Sequence, residues 1–313
     1  GARSVECYLS SSWPGIETIF QAEQKGTGHA VKVAQPWWAG LETLLVLPGD
    51  APFLTSEALE TLLKLGEDSK SSACLLSFEA ENPTGYGRII RRANGCRIVE
   101  EKDATPEEKT ITEVNSGIYA FRTDTLSAVI GLLENGNAQG EYYLPDVLPL
   151  LAERGFRVEA KRWDRSEDLS GINDPLQLAE ANRNMRDRIM RSHLMAGVKA
   201  MDPETTWIGP SVTLGADVRI EPDVQIWGKS LVENGASIGS HSILRNVSIG
   251  EGAQVLPFCC LTDSEVGSKA RVGPFACMRD NTKLGREALV GKFVEVKNSS
   301  IGEKSKVPHL SYM

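Results

Sequence analysis

The second half of the chain carries an apolar residue at every sixth position. The repeat runs evenly through seven positions from Ile208 to Leu244 and, after slips of one residue, continues as far as Val307, often with a glycine directly after the apolar residue. A period of six matches neither an α-helix nor an alternating strand. It is typical of a coil with three short flat faces, in which one residue per face points inward and stacked coils bury an apolar column. The pattern therefore predicts a left-handed parallel β-helix and disfavours the alternative, a β-sandwich of short strands.

Composition limits the classes of protein to which the chain can belong. Its 313 residues are enough for two domains, and 41% hydrophobic with 24% charged residues is the balance of a globular protein. A net charge of −8 argues against general nucleic-acid binding. No apolar run approaches the ~20 residues that a membrane span needs, and no signal peptide is visible. The six cysteines form no CxxC pair, which argues against a zinc site or a disulfide framework and favours a reducing cytoplasm.

The first half of the chain alternates predicted strands and helices, which is typical of an α/β domain. A short buried strand at 44–47 ends at Pro48-Gly49-Asp50, and a helix follows from about Thr55 to Leu65. Thr55 is suited to cap this helix. The other elements predicted here are strands at 73–78, 113–122 and 158–163 and a helix at 144–154.

A long helix is predicted to connect the α/β domain to the β-helix. Asp174 is suited to its N-cap and Pro175 to its first position. The chain starts with Gly1 rather than Met, and the six-residue rhythm is still running at Met313, so both ends look cut. The domains that we predict are an α/β domain at 1–174, a connector helix at 175–197 and a β-helix at 198–313.

Two stretches of the α/β domain have the character of ligand-binding sites. In residues 21–30 two glycines bracket Thr27 where a helix would begin, so backbone N–H groups can approach an anion or a base edge closely. Alone, such a stretch is more often a turn. Asp50 ends a buried strand, the place where α/β folds collect ligands. An Asp there can hold a metal ion or cap the following helix, and its position alone does not decide between the two.

Further polar stretches each have a structural alternative. Residues 82–88 are a glycine-rich loop before a strand, which can be a hairpin turn. Asn115-Ser116-Gly117 interrupts an apolar strand, and polar groups placed there need partners that a ligand can supply. Residues 100–104 are charged and would ordinarily be a solvated strand end, while Asn173 can be a helix cap.

Together these stretches resemble one family, the bifunctional N-acetylglucosamine-1-phosphate uridylyltransferase / glucosamine-1-phosphate N-acetyltransferases. The resemblance covers almost the whole chain, including the β-helix, and the combination of QAEQKGTGHA with NPTGYGR is specific. The resembling segments, in the order of the family, are 21–30, 48–50, 83–88, 99–104, 115–117, 138–143 and 171–173.

The resemblance implies a Rossmann-like nucleotidyltransferase domain followed by a β-helical acetyltransferase domain. It implies two steps in the synthesis of UDP-N-acetylglucosamine, a precursor of peptidoglycan and lipopolysaccharide. Acetyl-CoA acetylates glucosamine-1-phosphate, and UTP then transfers its uridylyl group to N-acetylglucosamine-1-phosphate with release of pyrophosphate. Mg²⁺ is the implied metal, and a homotrimer is the implied assembly, with neither nucleic acid nor a membrane as partner.

Each implied role falls on residues that match the family's motifs. The roles are uracil binding for Gln21, Gly26 and Thr27; Mg²⁺ binding for Asp50 and Asn173; N-acetylglucosamine binding for Gly87, Glu100 and Asn115; sugar-phosphate binding in the β-helix for Arg279, Lys297 and Tyr312; and acetyl-transfer base for His309.

The chain departs from the family pattern in several places. The family's glycine-rich nucleotide loop is absent at the N-terminal end, and the coils that bind acetyl-CoA are absent after Tyr312. We therefore expect this chain to be weakly active or inactive, with no acetyl transfer. Pro48, Pro145 and Asp280 replace a usual Tyr, Thr and Pro, which weakens the expectation of a sugar contact at Pro145.

The β-helix period makes two geometric predictions of its own. Arg279 and Lys297 are eighteen residues apart, one full coil of three faces, so they should stack on one side as a cationic patch. His309 lies twelve residues beyond Lys297 and should meet the patch from a different face or across a subunit boundary. The flat faces of the prism also favour packing around a threefold axis.

Two other functions are compatible with these patterns. One is a single-function sugar-1-phosphate nucleotidyltransferase with a structural β-helix, against which Arg279, Lys297 and the segment 309–312 argue, because a structural tail needs none of them. The other is a non-catalytic trimeric β-helix scaffold, on which His309 is only a surface residue.

Overall fold

The computed structural model describes residues 2–92 and 95–313, which form two compact units. The first unit ends at Asn173, and the second comprises Asp174–Met313. Gly1, on which the expectation of a cut N-terminal end rests, lies outside the described residues. Over the two described ranges, every helix is too short or too polar to cross a bilayer.

A six-stranded mixed sheet forms the centre of the first unit. Its strands run in the order β4–β3–β5–β2–β6, and β1 pairs antiparallel with the far half of β5. Among the described strands of this sheet, only β6 runs parallel to its neighbour, β2. The strands are β1 (Thr43–Val46), β2 (Ala73–Glu79), β3 (Arg88–Arg92), β4 (Gly95–Val99), β5 (Glu113–Arg122) and β6 (Val158–Arg162).

Helices cover both faces of this sheet, and two apolar clusters result. One cluster gathers around Phe121 and Leu148, and the other gathers around Leu76 and Ile118. The α-helices are α1 (Ala2–Ser12), α2 (Thr27–Val33), α3 (Gln35–Trp38), α4 (Ser56–Ser69), α5 (Thr123–Val129) and α6 (Val147–Glu153). Single 3-10 turns occupy Glu108–Thr110, Ile130–Leu132, Leu144–Asp146 and Ser166–Asp168.

Most elements predicted in this unit are confirmed, with two corrections. The strand predicted as buried at 44–47 is only half-buried, and Leu47 is 44% exposed, because among the described residues β1 pairs with β5 alone. The predicted interruption of β5 at Asn115-Ser116-Gly117 is also wrong. The strand continues, because a shift of register against β2 between Leu75 and Ser77 accommodates the polar residues.

Two helix caps agree with the sequence prediction. Thr55 precedes α4, and its hydroxyl accepts a hydrogen bond from Ala58 N at 3.3 Å. Asp174 precedes the long helix α7 (Pro175–Met195), and its carboxylate accepts from Gln177 N at 2.8 Å. Each cap satisfies a backbone N–H that has no partner within the helix.

The left-handed parallel β-helix is confirmed as the second unit's main element. Every repeat position from Ile208 to Val307 is buried and belongs to one apolar column. Its strands are β7 (Lys199–Ala200), β8 (Trp207–Ile208), β9 (Thr213–Leu214), β10 (Arg219–Ile220), β11 (Gln225–Trp227), β12 (Leu231–Val232), β13 (Ser237–Ile238), β14 (Ile243–Ile249), β15 (Gln254–Val255), β16 (Cys260–Val266), β17 (Arg271–Val272), β18 (Cys277–Arg279), β19 (Lys283–Leu284), β20 (Leu289–Lys292), β21 (Glu295–Lys297), β22 (Ser300–Ile301) and β23 (Lys306–His309).

Parallel pairing between successive coils produces three flat faces. One face is the sheet β23–β20–β17–β15–β13–β10–β7. The second contains β21, β18 and the first parts of β16 and β14, and the third contains β22, β19 and the last parts of those two long strands. Residues two apart on a strand point to the same side of a face. Because successive coils pair in register, outward residues at equivalent positions form columns along the β-helix.

Candidate functional site

The loop at residues 21–28 is held against the segment before α6 by three hydrogen bonds. Tyr142 N donates to Lys25 O and Gly28 N donates to Tyr142 O, both at 2.8 Å. Leu144 N donates to the Thr27 hydroxyl oxygen at 3.0 Å. Gly26 has φ 96°, and a Cβ at this position would lie 2.7 Å from Tyr142 O. Only glycine therefore allows the loop to approach its partner so closely.

The three residues predicted to bind uracil belong to this one loop. The Gln21 side-chain nitrogen lies 3.3 Å from Gly26 O and 2.9 Å from His29 Nδ1. Thr27 begins α2, where backbone N–H groups have no partner within the helix. The structure thus brings Gln21, Gly26 and Thr27 together, beside a helix start.

The three residues predicted to bind the sugar also meet. Gly87 directly precedes β3, Glu100 follows β4, and Asn115 lies on β5. Asn115 N donates to Gly87 O at 2.8 Å. A Cβ on Gly87 would lie 3.2 Å from Glu100 Oε1 and 2.8 Å from Ile98 Cγ2. Strand pairing therefore gathers them, and the lack of a side chain at Gly87 allows its close approach to Glu100.

Buried Tyr119 orients the Asn115 side chain, a role that was not predicted from the sequence. Asn115 Nδ2 donates to the Tyr119 hydroxyl at 2.7 Å, while Asn115 Oδ1 accepts from Gly117 N at 3.1 Å. Tyr119 is 2% exposed, and burial raises the pKa of its phenol, so the hydroxyl stays protonated. Two features of the sequence could have indicated this contact. Asn115 and Tyr119 are four residues apart on a strand, which puts both side chains on one face. A buried tyrosine hydroxyl also needs a hydrogen-bond partner.

Several carboxylates lie close to one another, and two of them, Glu100 and Asp146, also act on Tyr119. Burial raises the pKa of Glu100, and the negative charges of Asp146 and Asp103 raise it further. Burial and then Asp103 likewise raise the pKa of Asp146. Asp146 was missed from the sequence because its distance from Glu100 along the chain conceals their proximity. Pro145, beside it in the 3-10 turn, is buried and has no hydroxyl to offer a sugar.

Asp50 lies against the segment that ends at Asn173. Ile172 N donates to Asp50 O at 3.0 Å, and a Cβ on Gly171 would lie 3.3 Å from Asp50 Oδ2. The alternative roles as caps do not hold, since Thr55 caps α4 and Asp174 caps α7. Both Asp50 and Asn173 are exposed.

A carboxylate and an amide at this rim are oxygen donors of the kind that Mg²⁺ prefers, and an ion bound by two such groups keeps several waters. Within residues 2–92 and 95–313, no group of three or more His, Cys, Asp or Glu side chains is arranged to hold a metal ion. The donor set at Asp50 and Asn173 therefore fits a partly hydrated Mg²⁺ that a phosphate helps to bind, rather than an all-protein cage.

In the second unit, the predicted stacking of Arg279 and Lys297 is confirmed. They are in register on β18 and β21. Carboxylates already engage both cations. Arg279 lies 2.8 Å from Glu295 and from Asp280, and Lys297 Nζ lies 3.8 Å from Asp280. These pairs are exposed to solvent, which weakens them, so an incoming phosphate can displace a carboxylate.

Tyr312 lies on the same face as this pair, whereas His309 does not. Tyr312 bridges in parallel to Glu295 and is 68% exposed. His309 pairs with Lys292, on the face that contains β20 and β23, and is exposed. The prediction that His309 occupies a different face is confirmed.

Both units are similar in sequence to known proteins. Residues 4–171, more than half of the chain, match the profile of the family described as "Nucleotidyl transferase". The chain is 43% identical over 301 residues to "Bifunctional protein GlmU" of Corynebacterium efficiens, covering 95% of this chain and 62% of that protein. It is 41% identical to the protein of the same name in Streptomyces avermitilis, covering 99% and 65%.

A third relative aligns with the whole of this chain and with a slightly larger share of its own length. "Bifunctional protein GlmU" of Alkaliphilus metalliredigens is 40% identical over 315 residues, covering 100% of this chain and 68% of that protein. The chain thus spans a little under two thirds of the length of the first two relatives.

Proposed function

Since the chain belongs to the bifunctional GlmU family and its first unit to the nucleotidyl transferase family, we propose that it takes part in making UDP-N-acetylglucosamine. The first unit transfers a uridylyl group from UTP to N-acetylglucosamine-1-phosphate and releases pyrophosphate. In protein of the relatives' full length, the second unit takes part in the transfer of an acetyl group from acetyl-CoA to glucosamine-1-phosphate. The observation that carries the proposal is the meeting of Gly87, Glu100 and Asn115 across three strands.

The sugar subsite suits the uncharged, hydroxyl-bearing ring of the sugar phosphate. Asn115 has its amide orientation set by Tyr119 and Gly117, which leaves one N–H and one oxygen lone pair for a sugar. Glu100, whose pKa is raised by burial, can accept a hydrogen bond from a hydroxyl group or, when protonated, donate one. Gly87 allows the chain to pass close to Glu100, because any side chain there would meet Ile98 and Glu100.

The nucleotide is held at two other segments of the first unit. Gln21, Gly26 and Thr27 offer amide, backbone and hydroxyl groups to the edge of the uracil ring. Asp50 and Asn173 hold Mg²⁺, which when bound neutralises charge on the phosphates. Because uridylyl transfer is an in-line displacement, the contribution of these residues is to orient the sugar phosphate toward the α-phosphate.

The acetyl-transfer site uses the cationic face of the β-helix. Arg279, Lys297 and Tyr312 bind the phosphorylated amino sugar after Arg279 exchanges a carboxylate partner for the phosphate. His309 takes the proton from the substrate amine, a role that imidazoles commonly have as general bases. Because His309 lies on a different face from the patch, we infer that a second copy in a homotrimer completes the site.

One pair of variants tests both halves of the proposal. In protein of the relatives' full length, Asp50→Ala should abolish uridylyl transfer and spare acetyl transfer. His309→Ala should do the reverse, lowering acetyl transfer by ~10²–10⁴-fold, the usual contribution of a general base. Asp68→Ala, which removes an exposed carboxylate from α4, is the control and should change neither rate.

The results also separate the alternatives. Uridylyl transfer without acetyl transfer in the parent would favour a single-function nucleotidyltransferase. Loss of neither activity in Asp50→Ala and His309→Ala would remove these residues from the sites, and a parent without either activity would favour a scaffold.

A further inference from the structure

Two cysteines of the β-helix are direct neighbours on successive coils. Cys260 begins β16 and Cys277 begins β18, and the two residues are in register in the parallel pairing of these strands. Cys260 is exposed and Cys277 is partly exposed, and burial and then the nearby Cys260 thiol raise the pKa of Cys277. Neither residue has a role in the function proposed above.

The other cysteines provide a contrast. Cys74, Cys96 and Cys259 are buried, and burial raises the pKa of each to about 11, so their thiolate fractions are very small. Cys7 is exposed, but it lies on α1 in the first unit and has no cysteine beside it in sequence. The pair on the β-helix is therefore the place where two accessible thiols are positioned to react with one another.

The distance between strands permits a bond between the two sulfur atoms. In-register residues of neighbouring strands are ~4.8 Å apart, which is within the ~4.4–6.8 Å between Cα atoms that disulfides span. Side chains of in-register parallel residues project side by side, however, so their Cβ atoms stay close to the strand spacing, above the ~3.8 Å that disulfides prefer. A bond there would be strained and easily reduced, which is typical of reversible rather than structural disulfides.

We propose that Cys260 and Cys277 form a reversible dithiol site that reacts with small-molecule disulfides. The Cys260 thiolate attacks one sulfur of the disulfide, forms a mixed disulfide and releases one thiol. The Cys277 sulfur, after losing its proton, then attacks the Cys260 sulfur and releases the second thiol. The protein loses two hydrogens as its two thiols are oxidised, and the small disulfide is reduced to two thiols.

The order of attack follows from exposure. Cys260 is the accessible partner, whereas burial and then the Cys260 thiol and Glu295 raise the pKa of Cys277. Cys277 therefore reacts as the resolving thiol, which needs only to reach its neighbour.

The site also adjoins the cationic face. Cys277 is in register with Glu295 on β21, and Glu295 binds Arg279 at 2.8 Å. Oxidation of the two thiols would thus take place next to Glu295, which positions Arg279.

Oxidation with glutathione disulfide tests this proposal. The protein used carries Cys7→Ser, which removes the other exposed thiol. Intact mass and peptide mapping should show loss of two hydrogens and a Cys260–Cys277 crosslink that dithiothreitol reverses. In the same background, Cys277→Ser should keep a glutathione adduct on Cys260, Cys260→Ser should yield no internal crosslink, and Cys259→Ala should behave as the parent.

Several outcomes would overturn the proposal. These are a parent that remains fully reduced, one that carries glutathione separately on both cysteines, or one that crosslinks only between molecules on a non-reducing gel. Circular dichroism of each variant before oxidation separates a lost crosslink from a lost fold. Since the readout is covalent, failure of the proposed transferase function would leave the result unaffected.

Discussion

The first unit gathers its candidate site from strands that are distant along the chain, whereas the second gathers its cationic face from one repeat. Gly87, Glu100 and Asn115 meet because β3, β4 and β5 pair in a particular register. Arg279 and Lys297 meet because one coil separates them. A repeat stabilises each coil mainly through its neighbours. The first site should therefore respond most to lost positioning contacts, and the second to damage of the buried column.

The largest expected effect is a charge placed in that column. Val232 is fully buried, and the preceding residue, Leu231, is 40% exposed. Val232→Asp buries a carboxylate without a partner, at a cost of several kcal/mol, which should unfold the second unit. Leu231→Asp places the same charge in water and should change stability by less than ~1 kcal/mol. Thermal unfolding followed by circular dichroism compares them, and equal melting temperatures would contradict the three-faced column.

A second prediction concerns the positioning of Asn115 in the first unit. Tyr119→Phe removes the acceptor of the Asn115 amide but keeps the ring that stacks on Phe121 at 5.4 Å. Because a hydrogen bond is worth ~1 kcal/mol, affinity for N-acetylglucosamine-1-phosphate should fall about three- to tenfold. Calorimetric titration measures this, with exposed Tyr8→Phe as the control. Unchanged affinity would mean that Tyr119 does not position Asn115 for the sugar.

A pH comparison sharpens the account of Glu100. Its pKa is raised by burial, so the stability that it contributes is present below the unfolded value of ~4.3 and is lost as pH rises through the folded pKa. Glu100→Gln should therefore raise the melting temperature at pH 7, with little difference from the parent at pH 4, while weakening sugar binding.

Glu101 serves as a control of opposite sign. Arg88 Nη2 lies 2.6 Å from its carboxylate, and that hydrogen bond lowers the pKa of Glu101. Its stability contribution is present above the unfolded pKa and is lost as pH falls through the folded pKa. Glu101→Gln should therefore lower the melting temperature at pH 7. Shifts of the same sign in the two variants would contradict the assignment.

The smallest expected effect is at the exposed ion pairs of the β-helix. Glu295→Gln removes a carboxylate partner of Arg279 and should strengthen binding of glucosamine-1-phosphate a few-fold, with little change in stability because the pair is exposed to solvent. Glu265→Gln, which frees Lys283 on another face, is the matched control and should leave the affinity unchanged. Weaker binding in Glu295→Gln would indicate that Glu295 itself contacts the amino sugar.

The sequence alone determined the β-helix, its buried column and the stacking of Arg279 on Lys297. It determined the caps at Thr55 and Asp174 as well. These features depend on fixed spacing or on neighbouring residues, so physical chemistry along a short stretch of chain is sufficient to infer them. The site residues of the first unit were identified by resemblance, and their roles stay predictions.

The contacts between residues distant along the chain follow from the folded structure and not from the sequence pattern. The approach of Asp146, in a 3-10 turn, to Glu100, directly after β4, depends on packing within the first unit. The pairing of Cys260 with Cys277 depends on the register between β16 and β18. A shift of one residue between β16 and β18 would turn Cys277 to the face opposite Cys260. Register is set by the packing of a whole unit rather than by any one stretch, which is why the short strand at 44–47 was predicted as buried but is half-exposed at the edge of β5.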